Sequence, residues 1–119
     1  MIKSPTDIVE EAFRHYRSQD REAAHALYAD GFTFTSPRDD HIDKAAFFER
    51  CFPTAERCFP TAQRFVEQRL LHVVPADEEL VLVHYEYELT TGGRYRNVEA
   101  ITVRDGLIRE VQVFFGGGV

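Results

Sequence analysis

The sequence has few cysteines, no long apolar run and no concentration of positive charge. Its 119 residues include 2 cysteines and carry a net charge of −6. The negative charge, together with the lack of any Lys or Arg run, argues against a nucleic-acid or anionic-membrane partner. No apolar stretch reaches the roughly 18 residues typical of a membrane span, and the opening MIKSPTD contains no signal-peptide core. We therefore expect a cytoplasmic protein without a membrane or nucleic-acid partner.

Both cysteines lie in a short tandem repeat. The unit R-C-F-P-T-A-[E/Q] occurs twice between Arg50 and Gln63, and Cys51 and Cys58 occupy the same position in the two copies. On one continuous helix they would lie about 10 Å apart along the axis, too far for a disulfide. Because no Cys or His pair has metal-site spacing, we expect buried or half-buried thiols, no metal and no cofactor. A repeat this short is no solenoid, so we interpret the second copy as a local duplication in a connection.

The N-terminal half of the chain predicts three helices and one strand. The expected helix caps are Ser4, Asp20 and Asp43. The second helix would carry Leu27 and Tyr28 in its apolar stripe and end at Gly31. Between the second and third helices, FTFTS alternates with period two and predicts a strand that Pro37 stops.

The C-terminal half predicts four strands with apolar residues at every second position. These strands are RFVEQRLLHVV, where a bulge is compatible with the mixed faces, LVLVHYEYEL, RYRNVEAITV and LIREVQVFF. Parity places Tyr85, Asn97 and Glu99 on one face of the sheet and His84 on the other. Hairpin turns at TTGG and RDG make the sheet mostly antiparallel, and the terminal GGGV is expected to fray. The fold class is therefore α+β, and the length predicts a single domain over residues 1–119.

The order α-α-β-α-β-β-β-β resembles the cone-shaped, cystatin-like roll of the nuclear transport factor two superfamily. The stretches ALYADGFTFTSPRDD, IDKAAFFERCFP and NVEAITVRDGLIREVQVFFGG are similar to the SnoaL-like polyketide cyclase and ketosteroid isomerase-like proteins within it. The resemblance implies three N-terminal helices packed on a strongly curved, mostly antiparallel sheet whose concave face encloses an apolar pocket. It also implies a hydrophobic small molecule as the ligand and a homodimer that pairs through the convex face.

The resemblance also assigns catalytic roles to particular positions. Ser36 stands where ketosteroid isomerases carry a carboxylate base, and a serine without a base cannot abstract a carbon-bound proton. Ala12 stands near their catalytic tyrosine, and Glu99 matches the acid that helps to stabilise the oxyanion. The R-x-D pair of limonene epoxide hydrolase-like relatives reads Asn97-x-Glu99 here. Polyketide cyclases need mainly an inward acid, which Glu99 supplies.

We predict Glu99 as the catalytic acid, supported by Asp39 or Asp40 from the cluster RDDHID. A purely structural Glu99, hydrogen-bonded to tyrosine or asparagine, is equally compatible with the sequence. The residues predicted to line the pocket are Tyr16, Phe34, Ser36, Phe47, Tyr85, Tyr87, Asn97, Val113 and Phe115. The expected function is binding of a hydrophobic molecule, with cyclisation, isomerisation or hydration by acid/base chemistry. The alternative is a non-catalytic ligand-binding or dimeric assembly module of the same fold.

Overall fold

The computed structural model describes residues 3–55, 65–90 and 92–119. The fold consists of helices packed on one six-stranded sheet. The helices are α1 (Pro5–Ser18), α2 (Arg21–His25) and α3 (Lys44–Arg50), followed by a short 3-10 turn at Phe52–Ala55. The strands are β1 (Tyr28–Ser36), β2 (Asp39–Asp43), β3 (Phe65–Pro75), β4 (Leu80–Leu89), β5 (Arg94–Arg104) and β6 (Leu107–Gly118). Their order is β2-β1-β6-β5-β4-β3, with β1 parallel to β6 and the other neighbouring pairs antiparallel. The α+β class with a mostly antiparallel sheet is confirmed.

The predicted caps begin all three helices. The Ser4 hydroxyl accepts a hydrogen bond from the backbone N–H of Asp7 at 3.1 Å, as one half of a reciprocal capping box. Asp20 accepts from Ala23 at 3.2 Å and Asp43 from Ala46 at 2.9 Å. Each cap satisfies a backbone donor that the first helical turn leaves without an intrahelical partner.

The second helix is shorter than its apolar stripe predicts. It ends at His25, and Tyr28 already begins β1, so Gly31 lies inside a strand instead of ending a helix. The backbone N–H of Ile108 donates to the Leu27 carbonyl at 2.8 Å, where β1 meets β6. Sheet pairing with a distant strand therefore overrides the local helical pattern.

The segment that enters the third helix is a strand that the sequence analysis missed. Residues Asp39–Asp43 form β2, which pairs with β1 as a hairpin. The His41 backbone adopts φ 50 and its N–H donates to Thr35 Oγ1 at 3.1 Å. The hairpin explains why these charged residues are ordered along an edge instead of lying in a loop.

The C-terminal glycines continue the sheet and do not fray. The strand β6 extends to Gly118, and the N–H of Val119 donates to the Arg94 carbonyl at 2.9 Å. A Cβ at Gly116 would collide with the Arg96 carbonyl, so glycine permits this close strand approach. The end of β6 therefore stays beside the part of β5 that carries the candidate site.

The core lies between the helices and the inner face of the sheet. Val9 and Phe13 of α1 and Phe47 and Phe48 of α3 are buried there against strand residues such as Val83. The bulge expected in β3 is present between Leu70 and His72. In the described parts of the chain, no helix is long and apolar enough to cross a membrane.

Candidate functional site

A cavity of about 400 Å³ opens between the inner face of the sheet and helices α1 and α3. This volume lies in the range of small-molecule pockets. All nine side chains predicted to line a pocket lie on its wall, together with Glu99 and Asp39. Additional apolar wall residues are Ala12, Phe13, Ile101, Ile108 and Val111. The surface of the wall is therefore mostly hydrocarbon.

The polar groups deepest in the fold form a hydrogen-bonded chain that ends on Glu99. Tyr85 Oη donates to Glu99 Oε2 at 2.7 Å, and Asn97 Nδ2 donates to Tyr85 Oη at 3.2 Å. The N–H of Gly116 approaches Asn97 Oδ1 at 3.4 Å, which fixes the direction of the amide. Tyr85 and Asn97 lie directly opposite each other on β4 and β5. Tyr85 is 5% and Asn97 6% exposed. Because both are buried, these hydrogen bonds hold the Glu99 carboxyl in one orientation.

Glu99 lies inside the cavity, where removal from bulk water disfavours its charged form. Burial raises the pKa of Glu99 from 4.5 to about 7, and the hydrogen bond from Tyr85 opposes that rise. Among the described residues, no cation forms an ion pair with this carboxyl. A group with a pKa near 7 is present in both acid and base forms at neutral pH, as general acid–base catalysis requires.

Two tyrosines beside Glu99 remain hydrogen-bond donors over the physiological range. Burial, followed by the charge of Glu99, raises the pKa of Tyr85 and of Tyr28 above the usual 10.0. Both hydroxyls are therefore protonated at neutral pH. Tyr85 can stabilise an ionised Glu99, or another oxygen that gains negative charge in the cavity.

A second polar cluster lies at the rim, around Asp39. Ser36 Oγ donates to Asp39 Oδ2 at 3.4 Å, and Arg50 Nη1 lies 3.7 Å from Asp39 Oδ1. Cys51 Sγ is 3.8 Å from Asp39 Oδ2. Burial, and then the Asp39 charge, raise the pKa of the Cys51 thiol to about 12. Cys51 is therefore a protonated, half-buried thiol, and not an activated nucleophile.

The structure separates the two aspartates that the sequence analysis grouped together. Asp39 lies on the cavity wall, whereas the Asp40 side chain is 91% exposed and bonds His41 at 2.6 Å. Adjacent residues of a strand point to opposite faces, and the charged pattern RDDHID does not predict the strand β2. The position of Asp40 does not support its expected role beside Glu99.

Three wall residues with charged or amide side chains were not predicted to line the pocket: Arg38, Arg50 and Gln68. Gln68 pairs in register with Tyr87, and its Oε1 atom is buried without a hydrogen-bond partner. The mixed faces of β3 concealed which of its residues point inward. Arg50 was read as part of the repeat, and only the packing of α3 against β2 brings it to Asp39.

No three His, Cys, Asp or Glu side chains are grouped to hold a metal ion anywhere in residues 3–55, 65–90 and 92–119.

The chain belongs to the SnoaL-like domain family, whose profile matches residues 9–111. No sequence among curated proteins matches the chain at a significant level. The fold is similar to a proposed ketosteroid isomerase from Kribbella flavida DSM 17836, with TM-score 0.79, 19% identity and coverage of 97% of this chain and 79% of that one. An LEH-like epoxide hydrolase from M. tuberculosis has TM-score 0.72, 17% identity and coverage of 93% and 81%. A proposed polyketide cyclase from Sinorhizobium meliloti has TM-score 0.71, 19% identity and coverage of 91% and 94%. These similarities establish the fold shared with these proteins.

Proposed function

We propose that this protein binds an apolar small molecule in the cavity and transfers a proton to or from it through Glu99. The observation that carries the proposal is the position of the Glu99 carboxyl on the cavity wall, where Tyr85 donates to it and Asn97 donates to Tyr85. Burial there raises the pKa of Glu99 to about 7. Ionised Glu99 would abstract a proton beside a carbonyl, and protonated Glu99 would return it. Such transfers serve cyclisation, isomerisation or hydration. Asp39 is the supporting carboxylate at the rim.

The alternative is a module of the same fold that binds a ligand without chemistry. A binder would be expected to neutralise Glu99 with a neighbour, whereas an enzyme would bring several polar groups to one point. Tyr85 and Asn97 converge beside Glu99, and the Tyr85 contact is a neutral hydrogen bond. A structural acid would make the same hydrogen bonds, so proton exchange, and not this geometry, decides between acid/base chemistry and passive binding.

The test uses 6-propionyl-2-methoxynaphthalene, an apolar fluorescent ketone with exchangeable protons beside its carbonyl. Fluorescence measures its binding, and NMR in D2O measures exchange of those protons for deuterium. We expect the protein to bind the ketone and accelerate exchange above the buffer rate. Glu99→Gln should retain binding and lose the acceleration.

The matched control is Asp40→Asn, which makes the same carboxyl-to-amide change at an exposed position off the wall. It should leave both binding and exchange unchanged. Binding without any accelerated exchange would favour the non-catalytic alternative, and absence of binding would reject the proposed pocket function.

We also propose a homodimer that forms through the outer face of the sheet, which is the face opposite the cavity. Val98 is 36% and Phe114 56% exposed there, opposite each other on β5 and β6. Val74 and Leu82 extend the apolar surface across β3 and β4. Exposed apolar side chains grouped on one face are typical of protein–protein contacts.

The assembly is tested by light scattering on wild type and Phe114→Glu. We expect a dimer mass for wild type and a monomer mass for the variant at micromolar concentration. Ala45→Glu adds the same charge at an exposed position of α3 and should remain dimeric. A wild-type monomer would reject the dimer and leave the proton-transfer proposal standing.

A further inference from the structure

Two histidines on the outer face of the sheet lie in direct contact. His72 on β3 and His84 on β4 are opposite each other in the antiparallel register. Their Nδ1 atoms are 3.1 Å apart and their ring planes differ by 5°. Directly opposed residues on one sheet face have neighbouring Cβ atoms, so the backbone itself holds the two imidazoles together.

The separation of the two nitrogens fits the coordination of one metal ion. Two imidazole nitrogens that bind Zn²⁺ at about 2.0–2.1 Å with tetrahedral angles lie about 3.3 Å apart. The observed 3.1 Å is close to that value. To bind one ion, the two rings must turn until both Nδ1 lone pairs point to the same position. Imidazole nitrogen suits Zn²⁺, Cu²⁺ and Ni²⁺ better than hard cations such as Mg²⁺.

The charged groups near the pair include Glu86 and the three arginines that pair with it. Arg69 is the nearest cation along β3, and its guanidinium donates to Glu86 at 3.0 Å. Glu86 also lies 3.5 Å from Arg94 and 4.0 Å from Arg96, so each of these guanidinium groups has a carboxylate partner. On the other side, His84 faces Val98.

We propose that His72 and His84 form a two-imidazole site for a divalent transition-metal ion of the zinc, nickel and copper type. The site is separate from the cavity, because adjacent residues of β4 point to opposite faces of the sheet. Tyr85 lies on the cavity wall, so His84 lies on the outer face. The described residues supply no third protein ligand. Water or a group from another molecule completes the coordination.

The site predicts a chelate signature that independent surface histidines would not show. When two ligands bind one ion, either substitution removes the second, intramolecular contact and weakens binding steeply. We therefore expect His72→Gln and His84→Gln each to weaken Zn²⁺ binding by at least about tenfold, and the double variant to lose little more. Independent histidines would instead give losses that add.

The experiment is a calorimetric titration of ZnCl₂ into protein without a polyhistidine tag, at pH 7.5 after treatment with a chelator. The control variant is His25→Gln, a surface histidine of α2, which should bind as wild type does. One ion per chain would mean that water completes the site, and one ion per two chains would mean that a second copy does; both support the proposal. In the same samples, Zn²⁺ should raise the melting temperature of wild type and not of His84→Gln.

Two results would overturn the proposal. One is a wild-type affinity no greater than that of the double variant. The other is a loss of Zn²⁺ affinity in the double variant that equals the sum of the losses, as free energies, in the two single variants. Neither result depends on the cavity or on Glu99, so failure here is distinguishable from failure of the proposed function.

Discussion

Replacing Glu99 by glutamine should change how the stability of the protein depends on pH. Burial raises the pKa of Glu99 from 4.5 to about 7 in the folded chain, whereas the unfolded chain keeps an ordinary carboxyl. Below pH 4.5 the group is protonated in both states and carries no penalty. Above pH 7 it is ionised in both, and the folded state bears the full cost of the buried charge. Between these limits the folded chain holds more protons, so stability falls as pH rises.

The size of this effect follows from the shift in pKa. One unit corresponds to about 1.36 kcal/mol, so a rise from 4.5 to about 7 costs the folded state roughly 3 kcal/mol at pH 8. Glu99→Gln keeps the shape of the side chain and an oxygen that can accept from Tyr85, and it cannot ionise. Relative to wild type, the variant should gain up to about 3 kcal/mol between pH 4.5 and pH 8, or about 10 °C in melting temperature.

The assay is urea denaturation of both proteins at half-unit steps from pH 4.5 to pH 8. Glu88→Gln makes the same change on the outer face of β4 and controls for the loss of one acid. Its stability should run parallel to that of wild type. If the difference between wild type and Glu99→Gln stays constant across this range, Glu99 is not a buried acid and the reasoning fails.

Three further perturbations test other parts of the account. Tyr85→Phe removes the hydrogen bond that favours ionised Glu99, so the pH at which stability falls should move upward in the same urea series. Gln68→Leu replaces a buried amide whose Oε1 has no hydrogen-bond partner. In urea denaturation at pH 7, the variant should be as stable as wild type or up to about 1 kcal/mol more stable. A loss of stability larger than about 1 kcal/mol would show that the amide is hydrogen-bonded in the wild type. The second copy of the repeat, residues 57–63, lies outside the residues that the structure describes, and the sequence predicts it to be a duplication in a connection. Because connections tolerate length changes, deleting these residues should lower the melting temperature by only a few degrees. Loss of a cooperative transition would contradict this prediction.

Local chemistry was enough to predict the features that depend on neighbouring residues. A cap such as Ser4 needs only the backbone of the following turn, and the faces of β4 and β5 follow from strict alternation. That alternation brought Tyr85, Asn97 and Glu99 to one face, and the structure places all three on the cavity wall. Their role in binding or catalysis stays a prediction.

Features set by distant pairing were not predictable in the same way. The start of β1 at Tyr28 depends on β6, some eighty residues later in the chain, as the pairing of Tyr28 with Ile108 shows. The hairpin β1–β2 likewise converts a charged cluster into a strand, and this separates Asp39 from Asp40. The sequence could not show that Gln68 points inward, because a bulge in β3 shifts the alternation of its faces.

The most direct test of the central claim is the titration of the Glu99 carboxyl itself. Protein labelled with ¹³C at the glutamate side-chain carboxyls gives one signal for each glutamate, and the signal missing from Glu99→Gln identifies Glu99. The account predicts a midpoint near 7 for this signal, because an apolar wall surrounds the carboxyl and its nearest polar partner is a neutral tyrosine. A midpoint near the ordinary 4.5 would show that water reaches and stabilises the charge, and would contradict the proposed proton transfer at neutral pH.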